Sequence, residues 1–375
     1  MTWIPVSSPL IGEREIAYVL DAVSSGWVSS IGPYVERFEK SFAEYIGVEH
    51  AVAVCNGTVG LHLALHALGI GPGDEVLVPD LTFVATAHAV LQTGATPVFV
   101  DVEPDTWCMD PKAAELAITA RTRAVIPVHL YGHPADMDAI RYIADKYGLW
   151  IIEDAAEAHG AEYQGRKVGG IGHIGVFSFY GNKIITTGEG GMVVTNDAEL
   201  AARLRFLKDH GMSREKRYYH TELAFNYRLT NVQAALGLAQ LEQIETFIGH
   251  RRQVFQWYAH CLSDVPGIIL NTERPGVRNV YWMTCVVLTE KFPISREALM
   301  NILREKGIDT RPFFVPMHQL PHLASYRTVS REGEKCPQAE WLGARGLNLP
   351  SGPHIDEVTV QRICAELKGV LQCES

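Results

Sequence analysis

The chain has 375 residues, enough to bury a large core and usually enough for two lobes. Its residues are 47% hydrophobic and 20% charged, and its formal net charge of -10 weighs against non-specific nucleic-acid binding. Apolar runs end at Gly, Pro or a charge well before about 18 residues, and MTWIPVSSPLIGEREIAYVL has acidic residues and no signal-like apolar core, so a cytoplasmic chain with no membrane partner is expected.

In chain order, an N-terminal arm (1–12) leads into a region of alternating strand and helix patterns. The strand candidates are AVAV (51–54), EVLVP (75–79), TPVFVDV (96–102), AVIPVHL (124–130), WIIEDAA (150–156), GVFSFYG (175–181) and GMVVTN (191–196). Segments such as TVGLHLALHALG and DMDAIRYIADKYG lie between them, with apolar residues three and four apart and a terminal glycine, the pattern of amphipathic helices. Strand and helix in turn predict a mixed, mostly parallel seven-stranded sheet covered on both faces, with one antiparallel element after the short final loop. From about residue 230, TNVQAALGLAQLEQIETFIGHRRQVFQWYAHCL reads as one long helical region bent near Gly249. YWMTCVVL then reads as a strand, ISREALMNILREKGI as a helix and RPFFVPMH as an extended segment, so a large α/β domain (13–245) and a smaller C-terminal α+β domain (246–375) are expected. The seven cysteines, Cys55, Cys108, Cys261, Cys285, Cys336, Cys364 and Cys373, form no C-x-x-C pair, which signals neither a disulfide framework nor a zinc site.

Ligands of an open α/β sheet bind beyond the carboxyl ends of its strands. CNGT (55–58) follows the first strand: Gly57 permits a tight turn, Thr58 offers a hydroxyl, and the first helical turn offers free N–H groups to an anion. Alone, it equally describes a Thr-capped helix start. In WIIEDAAEAHG, period two turns Glu153 and Asp154 to opposite sides, and either carboxylate needs a donor or cation. A salt bridge or helix cap satisfies that need as well as a ligand does. Lys183 sits between the apolar FSFYG and the turn-forming IITTGEGG, which predicts a semi-buried amine with a depressed pKa, able to act as a Schiff-base nucleophile. If Asp154 meets a pyridinium nitrogen while Thr58 and Ser178 meet a phosphate, the bound group has the parts of pyridoxal 5'-phosphate (PLP). His129 and His133 have i, i+4 spacing but fall where a strand gives way to Gly and Pro, so no metal is expected; His159 reads as a partner of Asp154.

NGTVGLHLALHALGIGPGDEVLVP, LTFVATAHAV, IIEDAAEAHGA, FSFYGNKIITTGEGGMVVTND, FNYRLTNVQAALGLAQLEQ and TRPFFVPMHQLP together resemble the DegT/DnrJ/EryC1/StrS family of PLP-dependent sugar aminotransferases, over nearly the whole chain. The resemblance implies the fold type I, aspartate aminotransferase-like architecture. It makes Lys183 and Asp154 the catalytic pair, Lys183 holding the cofactor and Asp154 its ring nitrogen. It assigns Gly57, Thr58 and Ser178 to the phosphate, Phe83 to stacking on the ring, and Asn226 to the phosphate in a neighbouring subunit, hence a homodimer or larger with shared sites. Glu157, near the ring's hydroxyl, departs from many relatives, which carry glutamine. Arg311, His318, Tyr281 and Trp282 are candidates for the nucleotide-sugar, Arg because its planar fork suits a diphosphate. L-Glutamate is the implied donor and the C4 ketone of a nucleotide-linked 4-keto-6-deoxy sugar, GDP-4-keto-6-deoxy-D-mannose above all, the implied acceptor. A UDP- or dTDP-keto-sugar aminated at C3 or C4, or a non-catalytic sugar-nucleotide-binding regulator, is the alternative.

Overall fold

The structure is a computed structural model and describes residues 3–213 and 215–372, which leaves Cys373 outside it. Each expected strand run overlaps a strand, His50–Val54, Glu75–Pro79, Thr96–Val100, Thr122–Val125, Trp150–Asp154, Ile174–Ser178 and Gly191–Thr195, although the run 124–130 is strand only at its first two residues. Their order across the sheet is first, seventh, sixth, fifth, fourth, second, third, and Thr328–Val329 adds a short eighth strand at the edge. That edge strand carries too few residues to show alternation in the sequence; it forms because Phe99 N and Asp101 N donate to Arg327 O and Val329 O, each at 2.9 Å. Gly191–Thr195 is the antiparallel member, paired with His50–Val54 on one side and Ile174–Ser178 on the other.

Period-two alternation divides the strand residues between two cores. Ala51, Ala53, Leu77, Val98, Val100 and Ile151 pack on one face, and Val52, Val54, Val76, Val78, Phe99 and Ile152 on the other. Such near-continuous apolar strands need cover on both faces, and helices such as Gly57–Ala67 and Met137–Tyr147 provide it. Because two antiparallel steps cancel, His50–Val54 runs the same way as Ile174–Ser178. The residues after Val54, Pro79, Asp154 and Ser178 therefore leave the sheet at one edge.

The long helical region is two helices, Asn231–Leu241 and Ile244–Leu262. The break falls at Glu242–Gln243 rather than at Gly249, which lies inside the second helix with open space where its side chain would be. Nothing in LEQIE marks a local break. The cause is tertiary: buried Glu15 Oε1 accepts Gln240 Nε2 at 2.7 Å and Gln243 Nε2 at 2.8 Å. Further on, Ile268–Leu270, Thr284–Leu288, Gly346–Leu349 and Arg311–Pro312 form an antiparallel sheet in that order. Val286, Leu288, Leu347 and Leu349 join Val254 and Tyr258 of the long helix and Leu367 of the C-terminal helix in a third core.

Candidate active site

The strand ends surround a cavity of about 920 Å³, lined among others by Thr58, Phe83, Asp154, Ser178, Lys183 and Trp282. Gly57 and Glu157 also line it. Asn56, not Thr58, caps the helix Gly57–Ala67, its Oδ1 accepting Val59 N at 3.0 Å. The Thr58 hydroxyl is thus free of capping and faces the cavity beside the first helical N–H groups. A Cβ on Gly57 would stand 3.0 Å from Ser178 Cβ, so glycine lets this turn close onto the end of the neighbouring strand.

Glu153 and Asp154 separate as alternation requires. Glu153 turns away and accepts Gly169 N and Ile171 N, each at 2.7 Å, and the His129 Nε2–H at 3.0 Å. Burial would raise its pKa, but the His129 and backbone donors hold it below the usual carboxylate range. Asp154 faces the cavity, accepting the Thr86 hydroxyl at 2.8 Å and Ala156 N at 3.2 Å. Burial pushes its carboxyl up, against the Thr86 bond.

Lys183 belongs to the loop between Ser178 and Gly191, two residues paired in the sheet. Its side chain is 11% exposed, and Nζ lies 3.5 Å from Glu157 Oε1 and 3.8 Å from the centroid of the Trp282 ring. Burial lowers the amine's pKa, while Glu157 and then Asp154 draw it back. A lowered pKa leaves more of the amine neutral and nucleophilic at working pH. One buried amine beside two cavity-facing carboxylates and a helix N-terminus puts a nucleophile, acids and free N–H donors around one cavity.

Residues 9–368 match the DegT/DnrJ/EryC1/StrS aminotransferase family. The chain belongs to that family. It is 46% identical to the GDP-perosamine synthase of Caulobacter vibrioides, with 98% of each chain covered. It is 45% identical to that of Escherichia coli O157:H7, again with 98% of each covered. Against that of Vibrio cholerae the identity is 42%, covering 99% of this chain and all of the other. The crystal structure of S. venezuelae DesV in complex with a ketimine intermediate superposes with a TM-score of 0.90 at 39% identity, covering 98% of each chain. That of DesI in the presence of its TDP-sugar product gives 0.90 at 35%, covering 98% of this chain and 93% of that one.

Other candidates of this aminotransferase are placed less simply. Phe83 is 55% exposed at the cavity wall, its ring centroid 5.8 Å from that of Phe314. Trp282 lines the cavity and donates Nε1–H to Asn182 O at 2.9 Å. Tyr281, Arg311 and His318 are not among the lining residues of this single chain. Tyr281 stacks on Phe255 with ring centroids 3.8 Å apart, and Arg311 is exposed and paired with Asp309 at 2.9 Å. His318 donates Nδ1–H to buried Asp80 at 2.7 Å, and its Nε2 lies 3.3 Å from Glu340. Cys336 Sγ completes a group whose ligand atoms fall within 4.8 Å of one another, though Asp80 and His318 already satisfy each other there. Asn226 lies exposed outside the cavity, accepting Arg228 Nε at 2.9 Å. Arg228 in turn lines a second hollow of about 670 Å³.

His159 corrects the expectation drawn for it. Its ring is fully buried against Phe177 and Phe179, and neither nitrogen has a hydrogen-bond partner, Asp154 included. The aromatic wall, not the carboxylate, fixes its direction. His129 and His133 also diverge: His129 Nδ1 accepts Ala135 N at 3.0 Å, whereas His133 Nδ1 lies 2.7 Å from Pro134 O. Thr86 was not legible in the sequence because a threonine at the second position of a helix, here Ala85–Gln92, has no pattern of its own. Tyr131, whose N–H donates to Glu157 Oε2 at 2.8 Å, was not legible because its positive φ of 53° is imposed by the turn Leu130–Gly132.

Proposed function

We propose that this aminotransferase uses PLP to move an amino group from L-glutamate to the C4 ketone of a nucleotide-linked 4-keto-6-deoxy sugar, with GDP-4-keto-6-deoxy-D-mannose as acceptor and GDP-perosamine as product. The observation that carries the reading is Lys183, a buried amine aimed into a large cavity between Asp154 and the Thr58–Ser178 turn. The residues present fit the cofactor: a cleft of close-set backbone for its phosphate, a buried acid with a hydroxyl donor for its ring nitrogen, and an amine for its carbonyl. The choice of GDP-sugar rests on three perosamine synthases that are 42–46% identical over almost the whole chain.

When bound, PLP supplies a carbonyl that condenses with amines and a ring that accepts the electron pair left by a departing Cα proton. Thr58, Ser178 and the first N–H groups of the helix Gly57–Ala67 would hold its phosphate, with Asn226 of a second copy completing that contact. Asp154 would keep a proton on the ring nitrogen, since a cation there repays the cost of burying the carboxylate. Phe83 would cover the ring, and Glu157 would sit near its hydroxyl side. Lys183 Nζ would hold the carbonyl carbon and, when released, carry the proton between the donor's Cα and the cofactor. Trp282 would bound the sugar pocket, and Arg311 and His318 remain the candidates for the nucleotide, whereas Tyr281 is buried against Phe255.

A second copy is also supported by exposed apolar residues at helical spacing, Ile16, Leu20 and Val23, followed by Trp27, Val28 and Ile31. Among the described residues no helix is long and apolar enough to cross a membrane. Six free cysteines there fit a reducing, cytoplasmic setting.

The purified protein should carry a visible absorbance that Lys183→Ala abolishes. A panel of GDP-, UDP- and dTDP-keto-sugars with glutamate, read by mass spectrometry, should give an amino-sugar from the GDP-4-keto-6-deoxy sugar. Turnover by the alanine variant would sink the role of Lys183. Amination of dTDP-sugars alone would move the substrate to the alternative class.

A further inference from the structure

Glu157 presents two acceptor oxygens to two donors, where a glutamine would present one oxygen and one amide donor. Its Oε2 is held by Tyr131 N at 2.8 Å, while Oε1 faces Lys183 Nζ at 3.5 Å. Asp154 differs, since a donor occupies each of its oxygens, Thr86 on one and Ala156 N on the other. The one cavity-facing carboxylate oxygen directed at the amine is therefore Oε1 of Glu157.

Resting on the reading of Lys183 given above, we infer that Glu157 is the proton reservoir of the Lys183 amine: it takes a proton from the ammonium to leave the neutral nucleophile, and returns it when the amine must be charged. The transfer balances within the pair. Lys183 Nζ loses a proton and keeps the electron pair, and Glu157 passes from carboxylate to carboxylic acid. Burial favours this exchange, because it raises the Glu157 carboxyl and lowers the Lys183 amine, so the two affinities approach each other. Three titratable groups around the pair stay neutral over the working range. His159 is held down at about 3 by burial, and burial raises Tyr131 and Cys285 well above their ordinary values. The remaining charged groups are Asp154, whose oxygens are taken by Thr86 and Ala156 N, Glu189 elsewhere on the cavity wall, and Arg251 behind Lys183, which donates to Trp282 O and Ser351 O.

The test is Glu157→Gln, which keeps the shape and loses the proton site. A carboxylate this close moves an amine's pKa by about 1–3 units. In the cofactor-loaded protein, the pH midpoint of the visible absorbance should fall by about that much in E157Q, and E157D, which keeps the charge, should lie between the two. Competitive labelling of Lys183 in the full chain stripped of cofactor should shift in the same direction, a readout that needs neither turnover nor loading. A wild-type protein that binds no PLP would overturn the functional reading. E157Q that binds PLP and titrates like wild type would overturn the role of Glu157 alone. If E157Q fails to load, an unmoved labelling midpoint overturns that role and a lowered one upholds it.

Discussion

Thr86→Val tests the support of the acid rather than the acid itself. The substitution keeps the shape of a fully buried side chain and removes the hydroxyl that donates to Asp154 Oδ2 at 2.8 Å. Oδ2 then loses its side-chain donor. A hydrogen bond to a buried charged group contributes about 1.5–3 kcal/mol. The loss should raise the Asp154 pKa further, at about 1.4 kcal/mol per unit, and make the ionised acid that much harder to maintain. If Asp154 holds the cofactor's ring proton, T86V should retain PLP about 10- to 150-fold less tightly, by the same conversion. Equilibrium dialysis followed by visible absorbance measures this, and Thr86→Ser should restore most of the affinity. Wild-type affinity in T86V would refute the idea that the threonine keeps the acid charged.

Glu153→Ala should destabilise the fold by about 3–5 kcal/mol in urea titrations, since it strands several loop N–H groups and His129 in a buried place; a loss below about 1 kcal/mol would contradict that. Burial holds His159 neutral down to about 3 and His133 down to about 4, so between those values and about 6.5 the unfolded chain binds protons that the fold refuses. Stability should therefore fall on acidification through that window, by about 1.4 kcal/mol per pH unit for each such ring. His159→Phe should remove one ring's share of the slope, and an unchanged slope would refute the assignment. Asp80 raises the pKa of His318 through their hydrogen bond, so that pair stabilises the fold below the unfolded value near 6.5 and the gain is lost as pH rises through the folded value. Asp80→Asn should flatten this dependence, read as the wild-type minus variant difference in melting temperature between pH 6 and pH 9.

The strands were legible because a sheet buried on both faces writes itself as runs such as EVLVP and TPVFV, and the antiparallel member because its connection is too short for a crossover. Asp154, Ser178 and Lys183 were legible because they follow those runs. What escaped depended on distant residues. Glu15, more than two hundred positions away in sequence, breaks the helical region at Gln243, and no local residue announces it. His159 looked like a partner of Asp154 from its spacing, but the packing of Phe177 and Phe179 turned it inward. The sequence offered two carboxylates, and alternation said that they part. That Glu153 ties down a loop while Asp154 meets the cavity depends on where Gly169, Ile171 and Thr86 arrive.

The indole of Trp282 joins the two sheets beside Lys183. Trp282 leads directly into the strand Thr284–Leu288 of the smaller sheet, yet it donates to Asn182 O, the carbonyl beside Lys183. The lysine loop is anchored in the larger sheet by the pairing of Ser178 with Gly191. The two sheets are thus latched to each other one peptide from the reactive amine. The segment that holds Trp282 is tied to the larger sheet's loops a second time, by Val280 N donating to Gly132 O at 3.2 Å, so the cavity wall around Lys183 is built jointly by both sheets.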